Sequence, residues 1–268
     1  MIQWNADPIL FSVGFFSLRW YSLGFLASFM LGFWFTKKRF LEKNYSLEAL
    51  DAGFISIILG TIVGARLGHC LFYEPEIYLR QPWRIPMVWE GGLASHGALI
   101  GIVLAMFFFT RKYKIPFVWI LDTVATPIAF AGGFIRLGNL MNSEIVGNPT
   151  DVPWAFVFQR VDNLPRHPTQ IYEAMAYFII GAVMVLLGRS VKLRNQSGFL
   201  FGMFLIMVFG FRFGIEFLKR SQVNFENNLP LDMGQILSIP AVLVGVYMAF
   251  FYHPKQTTET LAGVEEQR

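Results

Sequence analysis

The sequence predicts an all-α integral membrane protein: a bundle of seven transmembrane helices with its N-terminus outside and its C-terminus in the cytoplasm. Three observations predict it. Hydrophobic residues make up 54% of the 268-residue chain and charged residues 15%, against about 25% charged in an ordinary soluble domain. Apolar runs long enough to span a bilayer, about 20 residues, recur along the chain. The connections between them are basic at every second position, as the rule that basic loops stay in the cytoplasm requires.

The predicted spans are 18–35, 50–72, 95–110, 117–135, 170–188, 198–216 and 235–252. Met1 to Ser17 contains Asp7 and no Lys or Arg, so the first run reads as a retained helix, not a cleaved signal. Lys37, Lys38, Arg39 and Lys43 follow the first run, Arg111, Lys112 and Lys114 the third, and Arg189, Lys192 and Arg194 the fifth. The outer connections, 73–94, 136–169 and 217–234, mix both signs and hold most of the prolines. The membrane-embedded domain is expected over 1–254, with a polar cytoplasmic tail over 255–268. The net charge of +4 is dispersed over the loop clusters, a topology signal and not a nucleic-acid footprint. Cys70 is the single cysteine, which excludes an intramolecular disulfide. Inside an apolar run it reads as a small core residue.

A charge at the centre of a membrane helix costs about 2.5–3.5 kcal/mol on insertion scales. Polar residues inside or beside the spans therefore need reasons. Arg66 falls in the outer half of span two and His96 at the outer start of span three. Arg136 ends span four, Arg212 and Glu216 end span six, and Arg19, Trp20 and Tyr21 begin span one. All fall near one depth. Arginines at helix ends also anchor to head groups, and Arg212 and Glu216, four apart, share a helix face and could pair. Convergence of cations at one depth points to a buried anion, since Arg suits bidentate phosphate binding. In a membrane that anion is a phospholipid head group.

Two stretches have the composition of a site. Trp89 to Gly97 places two glycines shortly before His96, and Arg136 to Gly147 combines a cation, two amides and an acid. A third, Arg166 to Glu173, leads into span five, with Pro168 suited to a first helical turn. No His-Glu-x-x-His, Gly-x-Ser-x-Gly or P-loop pattern occurs. The four histidines lack metal-ligand spacing. Neither a metal nor an organic cofactor is expected. A lipid or small-anion transporter would also use buried cations, but related halves and midplane helix breaks are not visible. A scaffolding membrane protein would not need the cations at one depth.

Together, Arg19-Trp20-Tyr21, Trp89 to Gly101, Arg136 to Gly147, His167 to Glu173, Phe211-Arg212 with Glu216, and Met233 to Pro240 resemble the bacterial prolipoprotein diacylglyceryl transferase family. The resemblance runs from about Pro8 to Pro240. It implies a seven-helix bundle with a small outer head region in the bacterial cytoplasmic (inner) membrane. It implies transfer of the diacylglyceryl group of phosphatidylglycerol to the lipobox cysteine at the signal peptide of a prolipoprotein, releasing glycerol 1-phosphate. By the resemblance His96 is the base for the thiol, Arg136 and Arg212 bind the phosphate, and Asn139, Glu144 and Tyr21 orient the glycerol. Gly147 shapes the loop, Glu216 holds Arg212, and Arg66 joins the lipid-binding set. The sequence departs from the family pattern at Ile135, Leu140, Ser143 and Ala98, all backbone-shaping or apolar positions.

Overall fold

A computed structural model describes residues 1–14, 16–220 and 231–253. The expected tail, 255–268, lies outside the described residues, as does most of the connection after Lys219. The contacts divide the chain into two compact units: Met1–Phe29 with the chain from Ala125 onward, and Met30–Val124.

Among the described residues, a helix overlaps each of the predicted apolar runs in order. These helices are α1 (Trp20–Glu42), α2 (Leu47–Phe72), α4 (Ser95–Tyr113), α5 (Phe117–Asn142), α6 (Thr169–Arg189), α8 (Phe199–Ile215) and α9 (Met233–Val246). Short helices α3 (Pro75–Arg80) and α7 (Val191–Asn195) lie in connections. A 3₁₀ turn, Glu216–Leu218, extends α8, and a π-helical turn, Tyr247–Phe251, extends α9. Among the described residues, five helices are long and apolar enough to cross a membrane: α2, α5, α6, α8 with its extension and α9 with its extension. The chain is therefore a multi-pass membrane protein. α1 and α4 fall short of that criterion. Tyr21, Ser22 and Lys37 dilute α1, and α4 is bounded by His96 and by Arg111-Lys112.

Strands are what the all-α expectation omits. β1 (Ile2–Trp4) pairs in parallel with β4 (Phe156–Phe158), which pairs antiparallel with β5 (Pro165–Arg166). β2 (Ile9–Val13) and β3 (Phe16–Arg19) form a hairpin just before α1. These segments lie outside the apolar runs and are two to five residues long, too short to show a period-two pattern.

In the Met30–Val124 unit, α2 and α4 cross through glycines. A Cβ on Gly64 would strike the carbonyl oxygen of Gly97. Small residues let membrane helices approach this closely, where packing and not a hydrophobic drive holds them together. At one end Phe40, Leu50, Phe109 and Ile120 form a buried cluster, with Trp119 5.3 Å from the Phe40 ring and 4.9 Å from Tyr45. Cys70 is fully buried. In the other unit the core joins α5, α6, α8 and the end of α9 through Ala129, Tyr177, Met184, Leu200, Phe204 and Ala249. Outward faces carry large exposed apolar side chains, among them Ile55, Leu59 and Ile62 of α2 and Met175 and Ile179 of α6, as lipid contact demands.

Candidate active site

α5 does not end at residue 135. It continues through Arg136 and Asn139 to Asn142, so part of the stretch read as an outer loop is helix. The three-residue spacing then places Arg136 and Asn139 on one face, and Arg136 Nη1 donates to Asn139 Oδ1 at 3.3 Å. After Asn142 the backbone turns sharply through Ser143 (φ 57°) and Ile145 (φ 55°). A β-branched residue at positive φ is held there only when its surroundings over-determine it. Here they do. Thr169 Oγ1 donates to the Ile145 carbonyl at 3.0 Å, and Gln170 Nε2 to that of Glu144 at 2.5 Å. The turn brings Glu144 back to the helix end, where it accepts from Asn139 Nδ2 (2.9 Å) and Asn142 Nδ2 (3.0 Å).

Two of the three stretches singled out in the sequence, Arg136 to Gly147 and Arg166 to Glu173, meet here with the segment after α8. Gly147 N donates to the His167 carbonyl (3.1 Å) and Arg220 N to the Val146 carbonyl (3.3 Å). A Cβ on Gly147 would lie 2.6 Å from His167 Cβ, so only glycine allows this approach. Arg166 Nη1 donates to the Gly147 carbonyl at 3.0 Å while Asp162 holds its Nε at 3.0 and 3.1 Å. Those hydrogen bonds hold the Asp162 carboxyl below the usual carboxylate range. Trp4 Nε1 ties the strands to the end of α5 through the Leu140 carbonyl at 3.0 Å. Tyr21 packs over Gly138, where a Cβ would collide with its ring.

At the centre is a residue to which the sequence reading gave no role. Glu173, one turn into α6, is fully buried. Arg136 Nε lies 3.2 Å from its Oε2, and Lys219 Nζ lies 3.0 Å from its Oε1. Tyr177 Oη, one turn on, donates to Oε1 at 3.3 Å. Lys219 also holds Glu216 at 3.0 Å. The pairing of Arg212 with Glu216 expected from their spacing is replaced by this one. The helix tightens to a 3₁₀ turn at Glu216, where residues three apart eclipse, and Glu216 faces Lys219. Arg212 therefore has no ion-pair partner among the described residues, and its Nε is buried without a hydrogen bond.

Arg136, Arg212, Glu216 and Lys219, with Arg220, Asp232 and Gly234, line a cavity of about 220 Å³. A guanidinium whose buried Nε has no hydrogen-bond partner among the described residues, beside two part-neutralised cations, is a site for an anion. Sequence reasoning missed Glu173 and Lys219. The insertion cost that flagged Arg212 applies equally to a carboxylate inside an apolar run, so Glu173 was detectable.

His96 and Arg66 belong to the Met30–Val124 unit. His96 is exposed at the first turn of α4, its ring stacked on Tyr73 at 5.6 Å. Tyr73 also stacks on His69 at 5.7 Å. Arg66 is 2% exposed and donates to the carbonyls of Ile85 (2.9 Å), Arg84 (2.7 Å) and Gly91 (2.5 Å). Its guanidinium lies 5.0 Å from the Tyr78 ring centroid. It clamps the connection between α2 and α4. His167 lies against Tyr172, Nδ1 3.3 Å from Oη. No group of three or more His, Cys, Asp or Glu suited to a metal occurs among the described residues.

Fold and site define a multi-pass membrane protein with a cation-lined, anion-accepting cavity. Comparison with known proteins gives the class its family. The model of the prolipoprotein diacylglyceryl transferase family matches residues 8–251. Phosphatidylglycerol–prolipoprotein diacylglyceryl transferase of Tolumonas auensis is 47% identical over 92% of this chain and 96% of its own length. The enzymes of that name from Chloroherpeton thalassium and Bacteroides fragilis are 46% and 41% identical, over 93% and 96% of this chain and 93% and 98% of their own. This chain belongs to the prolipoprotein diacylglyceryl transferase family and is a transferase.

Proposed function

We propose that this chain moves the diacylglyceryl group of phosphatidylglycerol onto the lipobox cysteine of a prolipoprotein in the bacterial inner membrane. The observation that carries the reading is the cavity in which Arg136, Arg212 and Lys219 converge. The cysteine sulfur attacks the glycerol carbon esterified to phosphate, a C–S bond forms, the C–O bond breaks, and its electron pair leaves with glycerol 1-phosphate. The thiol proton is released to a base. A free thiol has a pKa of about 8.5, so a base helps, and His96 is the candidate by family resemblance.

Charge builds on the phosphate oxygen as the C–O bond breaks. Preorganised donors aimed at that charge are worth most where water is excluded. Arg212, with no carboxylate partner among the described residues, is the strongest such donor. Arg136 is the second, held in aim by Glu173 and Asn139. Asn139, Glu144 and Tyr21 offer hydrogen-bonding groups to the glycerol hydroxyls, and Gly147 keeps the loop close. Arg66 serves this reading as a clamp, since its donors are engaged with carbonyls.

All seven long helices cross the membrane in this reading, with the strands outside. Cys70 is buried, so single cysteines placed at Lys112 and at Trp83 report sidedness to an impermeant thiol reagent. Labelling of Trp83→Cys only from outside and Lys112→Cys only from inside is expected. The transfer itself is tested in vesicles. Protein in phosphatidylglycerol vesicles should lipidate a lipobox peptide, and protein in phosphatidylcholine vesicles should not. Equal lipidation in both contradicts the head-group site.

A further inference from the structure

Glu173 does not itself line the cavity, yet it touches two of the cations that do. Among the described residues, the charged groups at the wall are Arg136 from α5, Arg212 from α8, Glu216, Lys219 and Arg220 from the segment after α8, and Asp232 at the start of α9. Four cations face two carboxylates, an excess of two positive charges. Glu173, behind Arg136 and Lys219 and capped by the neutral Tyr177 hydroxyl, lowers that excess to one. No histidine lines the cavity among the described residues.

We propose that Glu173 is a positioning and specificity-determining residue that sets the cavity to a single positive charge, so that it retains a phosphodiester monoanion and releases a phosphomonoester dianion. The proposal rests on the transferase reading above. The lipid substrate of that reading is a phosphodiester, with one negative charge. The product is a phosphomonoester, whose second proton leaves with a pKa of about 6, giving it a charge of about −1.5 to −2 at neutral pH. The monoanion neutralises the wall. The dianion overshoots it and leaves a negative charge uncompensated in a part-buried site, which is costly. Breaking the C–O bond thus converts a matched ligand into a mismatched one. The same carboxylate fixes Arg136 and Lys219 on one anchor, so aim and charge are set together.

The test uses the full chain in detergent micelles and glycerol 1-phosphate as the probe, with binding followed by calorimetry from about pH 5 to about pH 8, across the phosphate pKa of about 6. Native protein should bind it more weakly as pH rises, by roughly tenfold across that range. Glu173→Gln keeps the shape and removes the charge, and its binding should tighten with pH. Adding Lys219→Met to Glu173→Gln restores one net charge and should restore the native slope. A variant that is merely destabilised loses affinity at every pH without changing slope. Identical slopes in native and Glu173→Gln protein would overturn the proposal. Should Glu173→Gln fail to fold, Lys219→Met alone decides: a slope steeper than native is expected, and an unchanged one overturns it. Native protein that binds the probe at no pH overturns the transferase reading and this proposal with it.

Discussion

Arg136 and Lys219 hold opposite oxygens of one buried carboxylate, Glu173, at 3.2 and 3.0 Å. One cation comes from the end of α5 and the other from beyond α8, so the α6 carboxylate joins three separate parts of the chain. Breaking a buried ion pair by removing one partner costs about 3–5 kcal/mol, because the remaining charge is stranded. Glu173→Ala strands Arg136 and leaves Lys219 with Glu216 alone. It should lower the thermal midpoint in micelles by several degrees. An unchanged midpoint would show that the cluster carries no stability.

Arg212 and Arg136 should separate activity from stability. Arg212 has no ion-pair partner among the described residues, so Arg212→Ala should lose about 10²–10³ in transfer rate and keep its thermal midpoint. Arg136→Ala should lose a similar factor in rate and also melt earlier, because Glu173 loses one of its two cations. Equal midpoints for the two variants would contradict the assignment of Arg136 to both tasks.

His96→Gln tests the base. Loss of about 10²–10³ in rate at neutral pH, partly recovered as pH rises toward the thiol pKa of about 8.5, fits a proton acceptor. Full turnover by purified His96→Gln would remove His96 from the mechanism and leave the nearby cations to lower the thiol pKa.

Arg66→Lys keeps the charge but loses the fork that reaches three carbonyls. Amide exchange of residues 84–91 should accelerate while the α2–α4 crossing stays protected. Unchanged exchange there would contradict the clamp.

The Asp162–Arg166 pair gives a pH dependence with a definite sign. The Asp162 carboxyl is held below its ordinary value by the Arg166 hydrogen bonds. Its contribution to stability is therefore present above the unfolded carboxylate pKa and is lost as pH falls through the lowered folded one. Protection of the Gly147 loop, measured by hydrogen exchange, should fall on acidification below that range. Asp162→Asn should lack the acid-dependent part of this fall. A native-like acid profile in Asp162→Asn would contradict the linkage.

Long apolar runs made the helices legible, and their ends failed for identifiable reasons. The first apolar run ends at Phe35, but α1 continues to Glu42, since Lys and Arg snorkel from a helix end and Arg39 pairs with Glu42 at 3.0 Å. The fourth apolar run ends at Ile135, because polar Arg136 and Asn139 break the hydropathy though not the helix. Arg136 and Arg212 were visible as charges out of place. Lys219 was not, since a lysine in a connection carries no such signal and its burial depends on Glu173 from a distant helix. Arg212 and Glu216 do not pair because Lys219, at the end of the 3₁₀ turn that follows, takes the Glu216 carboxylate.

The most direct measurement takes purified protein, phosphatidylglycerol and a synthetic lipobox peptide, and follows glycerol 1-phosphate release and peptide mass together. The account predicts one glycerol 1-phosphate released for each peptide that gains a diacylglyceryl mass, and neither change with a Cys→Ser peptide or with Arg212→Ala. Release of head group without a matching gain on the peptide, or neither event from folded protein, would contradict it.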